Sequence, residues 1–156
     1  MKSPILIRPA TTADIPTLLE FEQGVVAAER SMDPTIKAGP VNYYNLPGMI
    51  ASPDIQLLVA ELDGSIIGSG YARIEPADRH YLTYMEYAYL GFMFVVPAHR
   101  GKGVIQLIID HLTQWARSRN LTELRLEVYA SNAPAIRAYE KTGFLSHLQV
   151  MRRPIS

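Results

Sequence analysis

The run Arg100-Gly101-Lys102-Gly103 has the residue types of a phosphate cradle. Two glycines two positions apart let successive backbone N–H groups turn toward one point, and Arg100 and Lys102 add full positive charges. Val104, Leu107, Ile108, His111, Leu112 and Trp115 follow at spacings of three and four, the period of an amphipathic helix. The N-terminus of such a helix adds about half a positive charge at the same place. A Walker loop would continue Gly-Lys-Ser/Thr, but Gly103 and Val104 follow Lys102. A Rossmann loop would carry its third glycine where Gln106 stands. A second group of interest is Leu124-Arg125-Leu126-Glu127-Val128-Tyr129, whose alternation puts Arg125, Glu127 and Tyr129 on one face of a strand. A polar face on a crossover strand marks a cleft. The chain has no cysteine, which removes thiolate nucleophiles, disulfides and Cys-ligated metal. His80, His99, His111 and His147 lack metal-ligand spacing, so no metal is expected.

The elements that must position these groups read as a mixed α/β chain. A first strand at Ile5–Arg8 is followed by a helix from Thr11 toward Arg30 with Pro16 in its first turn. A proline- and glycine-rich stretch over 31–54 holds a short helix near Tyr43–Ile50. Strands at Ile55–Leu62 and Ser65–Ile74 flank Asp63-Gly64, a tight hairpin signal. A long aromatic strand over Tyr84–Val96 stops at Pro97, and the glycine loop and its helix come next. Glu123–Tyr129 reads as a strand, Pro134–Thr142 as a helix with Asn132 as its N-cap, and Phe144–Arg152 as a closing strand. The 156 residues fit one domain, 1–156. Hydrophobic residues at 48% and charged residues at 19% suffice for a core. No leader or membrane-length apolar run stands out, so a soluble cytoplasmic protein with no membrane partner is expected. The net charge of zero argues against a nucleic-acid partner. That zero hides a split: residues 1–98 carry six Lys or Arg against eleven acids, and residues 99–156 carry nine against four. Such a chain can present a cation site and an anion site.

Two longer patterns carry a resemblance. Val-x-Pro-x-x-Arg-Gly-x-Gly matches Val95–Gly103, and Asn-x-x-Ala-x-x-x-Tyr-x-x-x-Gly-Phe matches Asn132–Phe144. In order and spacing the pair resembles the GCN5-related N-acetyltransferase (GNAT) superfamily across residues 85–145. The N-terminal half agrees only in the order of its elements. The resemblance implies an α/β (α+β mixed sheet), GNAT-like acyl-CoA N-acyltransferase fold of roughly six to seven strands with about four helices. One position departs: Ile105 stands where the family has Gly or Ala, and a branched side chain there narrows the approach of a pyrophosphate. The tail after Gly143 is short for two closing strands, so either one strand forms there or a second subunit completes the edge as a homodimer.

What the resemblance implies chemically is transfer of the acetyl group of acetyl-CoA, as cosubstrate, to a primary amine by direct attack in a ternary complex. The alternative is a non-catalytic acyl-CoA-binding sensor or regulatory domain of the same fold. The cofactor-binding residues would be Arg100, Gly101, Lys102, Gly103 and Val104, the backbone of Phe94, Val95 and Val96, and Asn132, which otherwise only caps its helix. Leu-Glu-Val, with a tyrosine twelve residues beyond the glutamate, also resembles bacterial ribosomal-protein N-terminal acetyltransferases. There the matching glutamate is taken as base and the matching tyrosine as acid, which points to Glu127 and Tyr139. Glu86 is the rival base, and pairing with Arg125 is the structural alternative for Glu127. Glu29, Asp33, Tyr43, Tyr44, Tyr84, Glu86 and Tyr87 would line an anionic, aromatic acceptor side suited to a cationic small-molecule or peptide amine.

Overall fold

A computed structural model describes residues 3–156. Nine regular elements follow in the order β1 (Leu6–Pro9), α1 (Ile15–Arg30), α2 (Leu46–Ala51), β2 (Ile55–Leu62), β3 (Ser65–Pro76), β4 (Glu86–Val95), α3 (Val104–Ser118), β5 (Leu124–Leu126) and α4 (Ala133–Lys141). The strands lie side by side in sequence order, antiparallel from β1 to β4, and β5 joins β4 in parallel. The β4–α3–β5 unit is therefore a crossover, which puts the loop after β4 at the carboxyl end of the strand.

Alternation splits the sheet's side chains between two cores. Leu58, Ala60, Ala72, Ala88 and Leu90 face Ile108, Leu112 and Ala116 of α3. Leu57, Val59, Tyr71 and Phe92 face Leu18 and Phe21 of α1 and Leu46 and Met49 of α2. The Asp63-Gly64 signal is the turn observed: both residues have positive φ, 50° and 79°, as a two-residue hairpin of matching twist requires. At the start of α1, Asp14 accepts from the Thr11 N–H at 2.8 Å and from Arg8 at 2.8 and 3.0 Å, tying the helix to β1.

Two expected strands differ. β5 stops at Leu126, three residues short of Tyr129, and Phe144–Arg152 forms no strand among the described residues. The sheet accordingly has five strands with four α-helices. Residues 144–152 pair with no neighbouring strand, and β5 remains the edge of the sheet among the described residues.

Candidate functional site

β4 and β5 stay in register only over Ala88↔Leu124, Tyr89↔Arg125 and Leu90↔Leu126. Beyond that point β4 continues to Val95 while the chain after β5 diverges. The local cause is a bulge: two residues of β4, Phe92 and Met93, stand opposite Gly70 alone, and Phe92 takes the left-handed conformation at φ 54°. The buried Ser69 hydroxyl donates to the Phe92 carbonyl at 2.9 Å and holds the bulge. An opening lined by backbone on one side thus runs from Gly91 to the end of β4. The Tyr71 hydroxyl lies against Gly91 at its start, so close that a Cβ there would be 2.6 Å away.

The glycine loop sits at the far end of this opening. Gly101 and Gly103 have φ of 74° and 81°, and a Cβ on either would meet nothing within 4 Å. Gly103 is the N-cap of α3 and supplies no side chain, so the first-turn amides keep their donors free. Val104 is buried and anchors the helix in the core. Ile105 is half-buried against the same core. Arg100 folds back on β4, donating from Nε to the Val95 carbonyl at 2.8 Å, with its guanidinium over Phe94. Lys102 is exposed. Of the backbone groups at Phe94–Val96, the Val96 N–H is spent inside the sheet on Ile67 at 2.9 Å, so Val95 faces the open edge. The Val96 N–H is thus engaged within the sheet, whereas Val95 lies at the edge that β5 leaves open.

Asn132 caps α4 by accepting from the Ala135 N–H at 3.4 Å. Tyr139 lies half-buried on α4 against Phe144 and the α3-side core. Burial, with the negative charge of Glu29 as a lesser cause, pushes its phenol up to about 12. Glu127 is exposed one residue beyond the last paired position. Its charge acts on Tyr71 and Tyr89. Arg125 turns away from it, pairing with Glu123 at 3.2 Å and Asp78 at 3.7 Å and lying over the Tyr87 ring at 4.1 Å. Among the described residues Glu127 has no ion-pair partner.

Glu86 is not gathered with these groups. It opens β4 opposite Pro76, about 16 Å before Gly91 at the usual rise of a strand. There it shares a hollow with Tyr84, Met85, Arg119 and Asn120. Tyr84 and Tyr87 stay at that end too, bound to Glu123 and Arg125. The other acidic and aromatic residues do converge. Glu29 is held above the usual carboxylate range by burial despite a hydrogen bond from Tyr43. Asp33 is held well below it by the hydroxyl and amide of Thr35, with Arg152 and Tyr129 adding to the effect. The Tyr129 hydroxyl donates to Asp33 at 3.0 Å.

Sequence reasoning missed Glu22. It is fully buried, and one carboxylate oxygen accepts from both the Tyr43 and Tyr44 N–H groups at 2.8 Å. It pins the loop that carries these tyrosines to α1. The only available signal was a carboxylate on the apolar face of α1, between Leu18 and Val26.

The profile of the Acetyltransferase (GNAT) family matches residues 25–144. Streptothricin acetyltransferase of Streptomyces lavendulae is 48% identical over 50 residues, 32% of this chain; the chain spans only 26% of that relative's length. Aminoglycoside N(6')-acetyltransferase type 1 of Klebsiella aerogenes is 28% identical over 159 residues, covering 99% of this chain and 100% of the relative. The solved structure of a predicted acetyltransferase from Clostridium acetobutylicum, crystallised with acetyl-CoA, superposes with a TM-score of 0.73 at 19% identity, over 97% of each chain. With three quarters of its length matched by the family profile, the chain belongs to the GNAT acetyltransferase family.

Proposed function

We propose that this protein transfers the acetyl group of acetyl-CoA to a primary amine of a small, cationic acceptor, by direct attack within a ternary complex. The observation that carries this reading is the opening between β4 and β5 that ends on the free amides of the glycine loop. A thioester on an extended arm fits the opening, and its pyrophosphate fits the N-terminus of α3. The relatives named for streptothricin and for an aminoglycoside support an acceptor bearing several amines.

The acceptor must first lose a proton, since an alkylammonium has a pKa near ~10.4 and only the neutral amine attacks. Glu127 accepts that proton directly or through a water; its position beside the opening favours it over Glu86. The nitrogen then bonds to the thioester carbon while backbone N–H groups of the bulge and Val95 stabilise the charge growing on the oxygen. As the carbon–sulfur bond breaks, Tyr139 donates its proton to the departing thiolate. Its raised pKa keeps the phenol protonated throughout the neutral range. Tyr43, Tyr44 and Tyr129, with Glu29 and Asp33, line the acceptor side and attract positive charge.

The test is release of free coenzyme A from acetyl-CoA with a panel of amines. Because the chain has no cysteine, a thiol reagent reads the product without background. Turnover with polyamines or amino-sugars is expected. Saturable acetyl-CoA binding without turnover on any amine would instead mark the protein as a sensor, and a preference for acidic acceptors would refute the charge argument.

A further inference from the structure

Three positions lie in one row across the sheet where the opening starts. Tyr71 of β3 is paired with Gly91 of β4. Gly91 follows Leu90, the last partner of Leu126, so Glu127 stands across the gap from it. Leu90 and Leu126 point into the α3-side core, and side chains alternate, so the next position on each strand belongs to the opposite face. Tyr71 is on that face too, in the core under α1 and α2.

The missing side chain of Gly91 lets Tyr71 lie across β4. A Cβ there would be 2.6 Å from the Tyr71 hydroxyl oxygen and 2.7 and 2.8 Å from two ring carbons. The phenol oxygen is thus carried over the middle strand toward the side where Glu127 stands. Its ring is fixed in that place. Tyr44 meets it edge-on at 6.0 Å, Tyr89 lies tilted at 6.4 Å, and the Arg73 guanidinium sits 5.6 Å from its centre. Tyr44 in turn stacks on Phe92 of the bulge at 4.4 Å. Arg73 is paired with Glu75, which offsets its charge. The charge of Glu127 reaches Tyr71. Neighbouring strands lie about 4.8 Å apart, so oxygens on the two outer positions of such a row leave room for one nitrogen between them. The ring alone fills the core; the hydroxyl is the part that stands at the gap.

We propose that Tyr71 is a catalytic residue that orients the acceptor: its phenol oxygen accepts one N–H of the amine while Glu127 takes the proton of another. The N–H bond toward Glu127 breaks, and its electron pair stays on nitrogen to attack the thioester carbon. The bond toward Tyr71 persists, and Tyr71 neither gains nor loses a proton. This role rests on the acetyl-transfer reading with Glu127 as base.

Tyr71→Phe keeps the ring and removes the oxygen. With spermidine or glucosamine as acceptor, kcat/KM for the amine should fall roughly 10- to 100-fold, the worth of a hydrogen bond to a charged group. Tm and acetyl-CoA affinity should stay at their wild-type values. Tyr89→Phe is the control: it lies one row back, also within reach of the Glu127 charge, and should keep the wild-type rate. Should Tyr71→Phe not fold, the wild-type protein with carbon-labelled tyrosine gives the same reading. The Tyr71 Cζ resonance should move when spermidine is added to the coenzyme A complex, and a resonance that stays in place overturns the proposal. Full kcat/KM in Tyr71→Phe, an equal loss in Tyr89→Phe, or a loss confined to Tm or acetyl-CoA affinity would each overturn it while leaving acetyl transfer intact. A wild-type protein that binds acetyl-CoA but acetylates no amine would overturn the transfer reading, and this role with it.

Discussion

Leu90 and Leu126 are the last residues at which β4 and β5 face each other in register. Both turn toward the α3-side core, so the two strands are pinned together at this pair. One residue later Gly91 and Glu127 are no longer partners. The separation coincides with a backbone feature, the bulge at Phe92, which bends β4 immediately after this point. A cleft made in this way is present before a ligand arrives, which lowers the ordering cost of binding.

Gly91→Ala tests how tightly that point is packed. Its new Cβ would lie 2.6 Å from the Tyr71 hydroxyl and 2.7 and 2.8 Å from two ring carbons. Overpacking of this kind costs about 1–3 kcal/mol, measurable by urea unfolding. Tyr71→Phe in the same chain should restore little, because the ring remains. Full rescue by Phe would show that only the hydroxyl is in the way.

Gly103→Ala separates conformation from crowding. The position is spacious but has φ of 81°, so the cost is the left-handed backbone, about 1–2 kcal/mol. The loop should relax away from this shape, and acetyl-CoA affinity should fall roughly five- to tenfold with overall stability changed little. Undiminished affinity would mean that the loop amides do not hold the ligand.

Tyr139→Phe keeps the ring contact with Phe144 and removes the proton. Loss of a general acid commonly lowers kcat by roughly 10²-fold or more, and acetyl-CoA affinity should stay within about twofold. With the phenol at about 12, the alkaline limb of the wild-type pH profile below pH ~11 should persist in the variant. An unchanged kcat would remove Tyr139 from the mechanism.

Acid stability should depend on Asp14. The hydrogen bonds from Arg8 are the main cause of its lowered pKa; the Thr11 N–H contributes less. The folded pKa lies below the unfolded value of about 3.9, so the contribution to stability is complete above that pH. It is lost as the pH falls through the folded pKa. Asp14→Asn should therefore lower Tm at pH 7, and the gap to wild type should close as the pH drops from about 4 toward 2. A gap independent of pH would assign the effect to packing.

Much of the fold was legible because local chemistry dictated it: Asp63-Gly64 specified a hairpin, Pro97 ended β4, and Asn132 opened α4. The glycine loop was equally plain from its own residues. The opening was not, since nothing in Gly91-Phe92-Met93 announces that a phenylalanine will take a positive φ. The role of Glu22 depends on a loop some twenty residues away, which no local pattern records. Glu86 and Glu127 looked alike as carboxylates on neighbouring strands. Only the register, with one at the start of β4 and the other just past the end of β5, places them at different ends of the sheet. The tail failed as a strand for a different reason: residue types can suggest a strand at Phe144–Arg152, but not whether it bonds to a neighbour.

The most direct measurement is hydrogen–deuterium exchange of the backbone amides with and without acetyl-CoA. Gly101 through Gln106 and the bulge from Phe92 to Val95 should slow together on binding, while β1 and β2 stay unchanged. Binding detected by calorimetry with no slowing at either segment would contradict the site described, and protection confined to the Glu86 end of β4 would place the ligand elsewhere.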